Sequence, residues 1–327
     1  MFALILYFIH VMIPPNQTFH ISGTAQGTTY AITYRHPNQV IHKHGIDSIF
    51  NVLNAEFSLY QHHSTILSFN QSQRGVRASE HLKQLVADAM DVSQLTQGAF
   101  DITILPLAII WGKFNKTSIE IPSATAIKSA LDVSGYQKIK LNGDSIIKLN
   151  PGVQIDPDGI AQGYSVDLIA GYLEKFGIEN FLVEIGGEIK TKGLNSEGKP
   201  WRIDFPKAKD YAINLTGNDQ VLALSGMGVS TSARFSKFTS TQSGKRSHII
   251  NPESGLTLEN NIASVTVLAP KTVLADGLDN AFMVMGIERA LKLSDSIKNI
   301  GVHIVYETDK GVIKDTSNSF FRKFVKE

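Results

Sequence analysis

Residues 155–187 read IDPDGIAQGYSVDLIAGYLEKFGIENFLVEIGG: a polar loop, an amphipathic helix and a buried strand in immediate succession. Val166, Ile169, Ala170, Leu173 and Phe176 recur three or four residues apart, which places them on one helical face, and Gly177 supplies a stop. The apolar run Phe181–Ile185 then has the length of a strand. It delivers the chain to Gly186-Gly187, where missing Cβ atoms let backbone amides approach a ligand closely. A Gly-Gly pair alone is more often a plain turn. Loop, helix, strand and turn together predict one wall of a cleft of nucleotide size.

Outward from this unit the order of elements is mixed. Phe19–Arg35 reads as two strands joined through Thr24-Ala25-Gln26-Gly27. Residues 38–57 have helical spacing, as do Glu80–Leu95 behind a Ser79 cap. From Tyr136 short strands take over, with a hairpin signal at Asn142-Gly143. Strands continue to Val267, followed by helices over 271–285 and 288–296 and a hairpin turning at Asp309-Lys310-Gly311. This order predicts an α+β fold rather than a regular doubly wound sheet.

With 327 residues and 43% hydrophobic content, the chain can bury a large core as one domain or two intimate lobes. Lys+Arg of 31 against Asp+Glu of 30 gives a net charge of +1, which argues against a nucleic-acid surface and for a small-molecule or protein partner. No cysteine is present, so disulfides, thiolate metal sites, a thiol nucleophile and a lipidated cysteine are excluded in this chain. Any metal must be held by oxygen or imidazole. Residues 1–17 form an apolar N-terminal segment, separate from the domain at 18–327. Its first thirteen residues, MFALILYFIHVMI, are too short to span a bilayer and resemble the apolar core of a signal peptide, without its basic flank or small-residue cleavage site. The expectation is export; a buried N-terminal strand is the other reading.

Four constellations could carry chemistry. In ADGLDNAFMVMG, Ala275–Gly286, Asp276 and Asn280 lie four apart and so share a helical face, an oxygen pair that suits Mg²⁺. On a helix such a pair is more often a solvated edge. In SHIINPESG, Ser247–Gly255, His248 stands before an Asn-Pro turn and is a candidate general base, or a histidine packed at a strand end. His42, His44, His62 and His63 sit in polar surroundings. GAFDITILPLAIIWG, Gly98–Gly112, brings Trp111, and VSTSARFSKF, Val229–Phe238, brings small hydroxyl residues that can bond a ligand without filling its cavity.

Taken in order, GTTY (Gly27–Tyr30), FSLY (Phe57–Tyr60), GAFDITILPL with WG, DGIAQGYSVD, EIGGE, PW, STSARF, SHIINPESG and ADGLDNAFMVMG resemble the ApbE family of FAD:protein FMN transferases. The resemblance covers about residues 19–296 and implies a two-lobed α+β protein with a flavin-binding cleft. It implies Mg²⁺-dependent transfer of FMN from FAD to a threonine or serine of an acceptor protein, with release of AMP. Asp276 and Asn280 fall on the family's metal side chains, and backbone oxygens of Ala161 and Asp279 on its other donors. His248 falls on the activating histidine. Tyr60, Trp111, Asp167, Gly186, Gly187 and the Thr231-Ser232 pair fall on flavin and adenine contacts. Implied acceptors are extracytoplasmic flavoproteins or subunits of membrane redox complexes, on the periplasmic side of the inner membrane.

The sequence departs from the family pattern at Asn280, where threonine is usual, and at HIINP, where HIIDP is usual. It departs again at TSARF, where TSG-aromatic is usual, and at Gln162, where many members carry lysine. Two other activities fit the same motifs: a Mg²⁺-dependent FAD pyrophosphatase yielding FMN and AMP, and a non-catalytic flavin-binding protein.

Overall fold

A mixed eight-stranded sheet would need crossover helices; here every neighbouring pair is antiparallel. The computed structural model describes residues 16–114, 120–211, 220–233, 238–241, 244–247 and 249–327. The main sheet runs, in spatial order, Gln17–Ala25, Thr28–His36, Asn180–Ile185, Glu188–Lys192, Gly228–Ala233, Ile262–Ala269, Gly301–Glu307 and Ile313–Ser317. Helices cover one face. A three-stranded sheet of Trp201–Ile203, Val221–Leu224 and Val325–Lys326 belongs to the cluster on the other, with Trp201, Phe205 and Phe321 packed against Val229 and Leu268. Coverage on both sides explains why every residue of Ile262–Ala269 is buried. The α+β reading holds.

The decisive 155–187 unit folds as read. Ala161–Lys175 is a helix, and Val166, Ile169, Ala170 and Leu173 bury against Ile32, Phe181 and Val183 of the sheet. Phe176 is the exception: the helix has ended, and its ring is exposed, edge-on to Tyr172 at 5.1 Å. The helix at 43–57 also starts later than the periodicity suggests. The backbone N–H and C=O of Ile41 pair with the Tyr34 hydroxyl rather than continuing a helical ladder. Glu80–Leu95 begins at the expected cap, the Leu82 N–H donating to Ser79 Oγ at 3.2 Å. The hairpins at Asn142-Gly143 and Asp309–Gly311 are present.

The Ala161–Lys175 and Thr272–Met285 helices pack directly on each other, and the crossing depends on Gly163. A Cβ there would lie 2.6 Å from the Thr272 carbonyl oxygen and 2.8 Å from Asp276 Cβ. Residues 1–15, including the apolar N-terminal run, lie outside the described residues. Among the described residues no helix is long and apolar enough to cross a membrane.

Candidate active site

Because Gly163 allows so close a crossing, its backbone N–H donates directly to Asp276 Oδ2 at 2.8 Å. Asp276 is therefore buried at 4% exposure, not on a solvated edge. One helical turn along, Asp279 is buried at 2% and accepts from Ser230 Oγ at 2.6 Å, while its Oδ1 has no partner. Asn280 reaches the carbonyls of Asp276 at 3.0 Å and Gly159 at 3.4 Å and accepts from Ser232 Oγ at 3.4 Å. Phe100, from GAFD, sits over Gly159. The structure thus brings together the acidic helix, the DGIAQG turn, the start of the Ala161 helix and the strand carrying the serines.

Burial pushes the carboxyls of Asp276 and Asp279 well above the ordinary carboxylate range. Glu188 adds to this at Asp276, and Asp276 itself adds at Asp279, while the Gly163 N–H and Ser230 hydroxyl oppose it. No basic side chain forms an ion pair with either acid among the described residues. Acids buried without a cation are costly, and the orphaned Asp279 Oδ1 shows where the protein leaves a charge to be met. No three His, Cys, Asp or Glu side chains converge among the described residues. Few carboxylates supplemented by amide and carbonyl oxygens are the donor set of Mg²⁺, which keeps positions for water and substrate phosphates. The residues present fit that ion.

Ala161 opens the helix at the DGIAQG turn. Its carbonyl accepts from Ser165 Oγ at 2.8 Å within the helix, and the carbonyl beside the Asn280 amide is that of Gly159. Ser165 Oγ in turn accepts from Gln26 Nε2 at 2.8 Å, tying the first hairpin turn to the helix start. Asp167 lines a second cavity with Tyr164, Lys190 and Lys271. Its two oxygens accept the N–H groups of Thr272 and Val273 at 2.9 and 3.0 Å, capping the acidic helix from its neighbour. Gly186 and Gly187 have φ of 65° and 112°, conformations that suit glycine. Their amides are taken, by the Thr29 carbonyl and Glu184 Oε1, and a Cβ on Gly186 would meet the Gln162 amide at 2.9 Å. Gly186 makes room for Gln162, whereas a Cβ on Gly187 would meet nothing within 4 Å.

Thr231 and Ser232 diverge, because strand residues alternate in face. Ser230 and Ser232 meet the acidic helix, whereas Thr231 Oγ1 shares a hydrogen bond with Thr266 at 2.9 Å. Trp111 is buried, donates to the Gly255 carbonyl at 2.7 Å, and walls a cavity of about 370 Å³ with Asn251, Leu256, Thr257, Asn260 and Val284. Val284 is one turn beyond Asn280. Tyr60 is exposed, edge-on to Phe114 at 5.8 Å. His248 lies outside the described residues. The turn after it is described: Asn251 Oδ1 accepts the N–H groups of Glu253 and Ser254, a role that needs only an acceptor oxygen and that asparagine fills as well as aspartate.

Sequence reasoning missed Glu188, Ser230 and the Lys113 network. Lys113 bridges Asp156 at 2.9 Å and Asp158 at 2.5 Å. Burial alone would lower its pKa, but the two carboxylates more than offset this and hold it above the ordinary lysine value. The pair clamps the Trp111-Gly112 turn to the DGIAQG loop. The available signal for Ser230 was period-two alternation in VSTSA, which pairs it with Ser232 rather than Thr231.

A profile of the ApbE family matches residues 26–304. The chain belongs to the ApbE family. The FAD:protein FMN transferase of Vibrio cholerae is 32% identical over 318 residues, covering 95% of this chain and 94% of its own length. That of Haemophilus influenzae is 31% identical over 315 residues, covering 92% and 90%. Among solved structures, the ApbE flavinyl transferase of Pseudomonas stutzeri superposes with a TM-score of 0.85 at 31% identity, covering 95% of this chain and 97% of that one. The ApbE flavin transferase of V. cholerae gives 0.83 at 32%, covering 95% and 100%. The motif resemblance and the α+β architecture are both borne out by these matches.

Proposed function

We propose that this ApbE-family chain transfers FMN from FAD to a serine or threonine hydroxyl of an acceptor protein and releases AMP, with Mg²⁺ at Asp276. The observation that carries the reading is the buried Asp276–Asp279 pair, without a basic partner among the described residues, set against the start of the Ala161–Lys175 helix. The FAD:protein FMN transferases among its relatives support the substrate and the group transferred. The acceptor oxygen attacks the FMN phosphorus, the bond from that phosphorus to the bridging oxygen breaks, and AMP leaves with that oxygen. The hydroxyl proton passes to His248.

Asp276, the Asn280 amide and the Gly159 carbonyl would hold Mg²⁺, which when bound supplies the charge neutralisation that diphosphate cleavage needs. The protein's own part is position. Gly163 and Ser230 fix the two carboxylates, Asp276 meeting the first turn of the Ala161–Lys175 helix through the Gly163 N–H, and Lys113 holds the neighbouring loop. The apolar first thirteen residues support export and action on extracytoplasmic flavoproteins or on a subunit of a membrane redox complex.

The test is AMP release from FAD in Mg²⁺ and in EDTA, with and without a threonine-bearing acceptor. AMP formation that needs both Mg²⁺ and acceptor is expected. Equal release without acceptor indicates a pyrophosphatase, and FAD binding with no AMP under any condition indicates a flavin-binding protein.

A further inference from the structure

Asp279 carries two oxygens in unlike situations. Oδ2 accepts from the wholly buried Ser230 Oγ at 2.6 Å, a short hydrogen bond. Oδ1 is equally buried and has no partner. Ser230 lies on Gly228–Ala233, a strand hydrogen-bonded into the middle of the main sheet, where it pairs with Val267. The backbone there has little freedom: a Cβ on Gly228 would lie 2.7 Å from the Thr272 backbone, which sets the distance between strand and acidic helix.

We infer that Ser230 is a positioning residue of the metal centre: it pins Oδ2 of Asp279 so that Oδ1 is presented as a fixed acceptor toward a Mg²⁺ ion, or a water on that ion, beside Asp276. The resemblance to the family assigns Asp279 only a backbone oxygen; the geometry gives its side chain a part. The inference rests on the Mg²⁺ reading proposed above. Outer partners of metal sites fix ligand orientation and typically change affinity by about 10- to 100-fold when removed. A serine that merely filled space in the sheet would not do so.

The experiment is calorimetric titration of the full chain with MgCl₂ alone, without FAD or acceptor, so that the readout is independent of turnover. Wild type, Ser230→Ala, Asp279→Asn and the double variant are compared, with Asp276→Ala as the control. Ser230→Ala and Asp279→Asn are each expected to weaken Mg²⁺ binding about tenfold or more. The double variant is expected to bind no more weakly than the worse single one, because both substitutions break the same interaction. Wild-type affinity in Ser230→Ala, or losses that multiply in the double variant, overturn the inference while the Mg²⁺ reading stands. If Ser230→Ala fails to fold, unchanged affinity in Asp279→Asn overturns it. If the wild type itself binds no Mg²⁺, both fall.

Discussion

Replacing Asp276 by asparagine should make the protein indifferent to Mg²⁺ without harming its fold. The substitution keeps an acceptor for the Gly163 N–H and removes one of two buried acids that have no basic partner among the described residues. In EDTA, relief of that charge should leave the variant at least as stable as the wild type, since an uncompensated buried ion costs several kcal/mol. In the wild type, free Mg²⁺ at about 100 times its dissociation constant adds ~2.7 kcal/mol. At about 2 °C per kcal/mol, the value for large chains, that amounts to a rise of roughly 5 °C in the unfolding temperature. The variant's rise should be under about 1 °C, because a weakened site is barely occupied at the same Mg²⁺ concentration. Differential scanning calorimetry in EDTA and in MgCl₂ reads both effects. A full Mg²⁺ shift in Asp276→Asn would refute the metal assignment; a large loss of stability in EDTA would show the carboxylate to be a structural bond rather than an unmet charge.

Three further outcomes are expected. His248→Ala should keep wild-type affinity for FAD in fluorescence titration and lose about 10²- to 10⁴-fold in transfer rate, the worth of a general base; unchanged transfer removes the histidine from the chemistry. Gly163→Ala drives a methyl into the Thr272 carbonyl and Asp276, so it should cost ~1–3 kcal/mol in urea unfolding, and an unchanged midpoint would contradict the tight crossing. His303 lies against Phe205 and Phe321 at 5.0 and 5.3 Å, with Nε2 unpartnered; burial holds its pKa below the usual 6.5, with Asp315 pulling the other way. The folded state therefore binds fewer protons than the unfolded one, and stability should be lost as pH falls below about 6.5. His303→Leu should flatten that part of the curve, and an equally steep curve in the variant would show that other groups set it.

Much of this molecule could be read from the chain because local signals and tertiary demands coincide in it. The 155–187 unit, the Ser79 cap and the hairpin turns all rest on periodicity or turn chemistry, which neighbours in sequence determine. The site was legible as a set of motifs, but the jobs of its members were not. Asp167 lies in the motif DGIAQGYSVD, yet it caps another helix, a contact 105 residues away. Gly186-Gly187 looked like free amides for a ligand, yet both amides are bonded within the protein. Ser230 was overlooked beside Thr231-Ser232 because deciding between them requires knowing which strand face meets the acidic helix. Asp276 was legible as a ligand type, whereas its burial came from a glycine 113 residues earlier.

The central claim is group transfer to a protein, and the mass of the acceptor tests it most directly. The protein, FAD and MgCl₂ are incubated with a threonine-bearing acceptor and, separately, with the same acceptor carrying alanine at the target; both are denatured and weighed intact. The account expects the first to gain the mass of one FMN unit, with AMP released in equal amount, and the second to stay unchanged. An acceptor of unaltered mass, while FAD is split to free FMN and AMP, would contradict it.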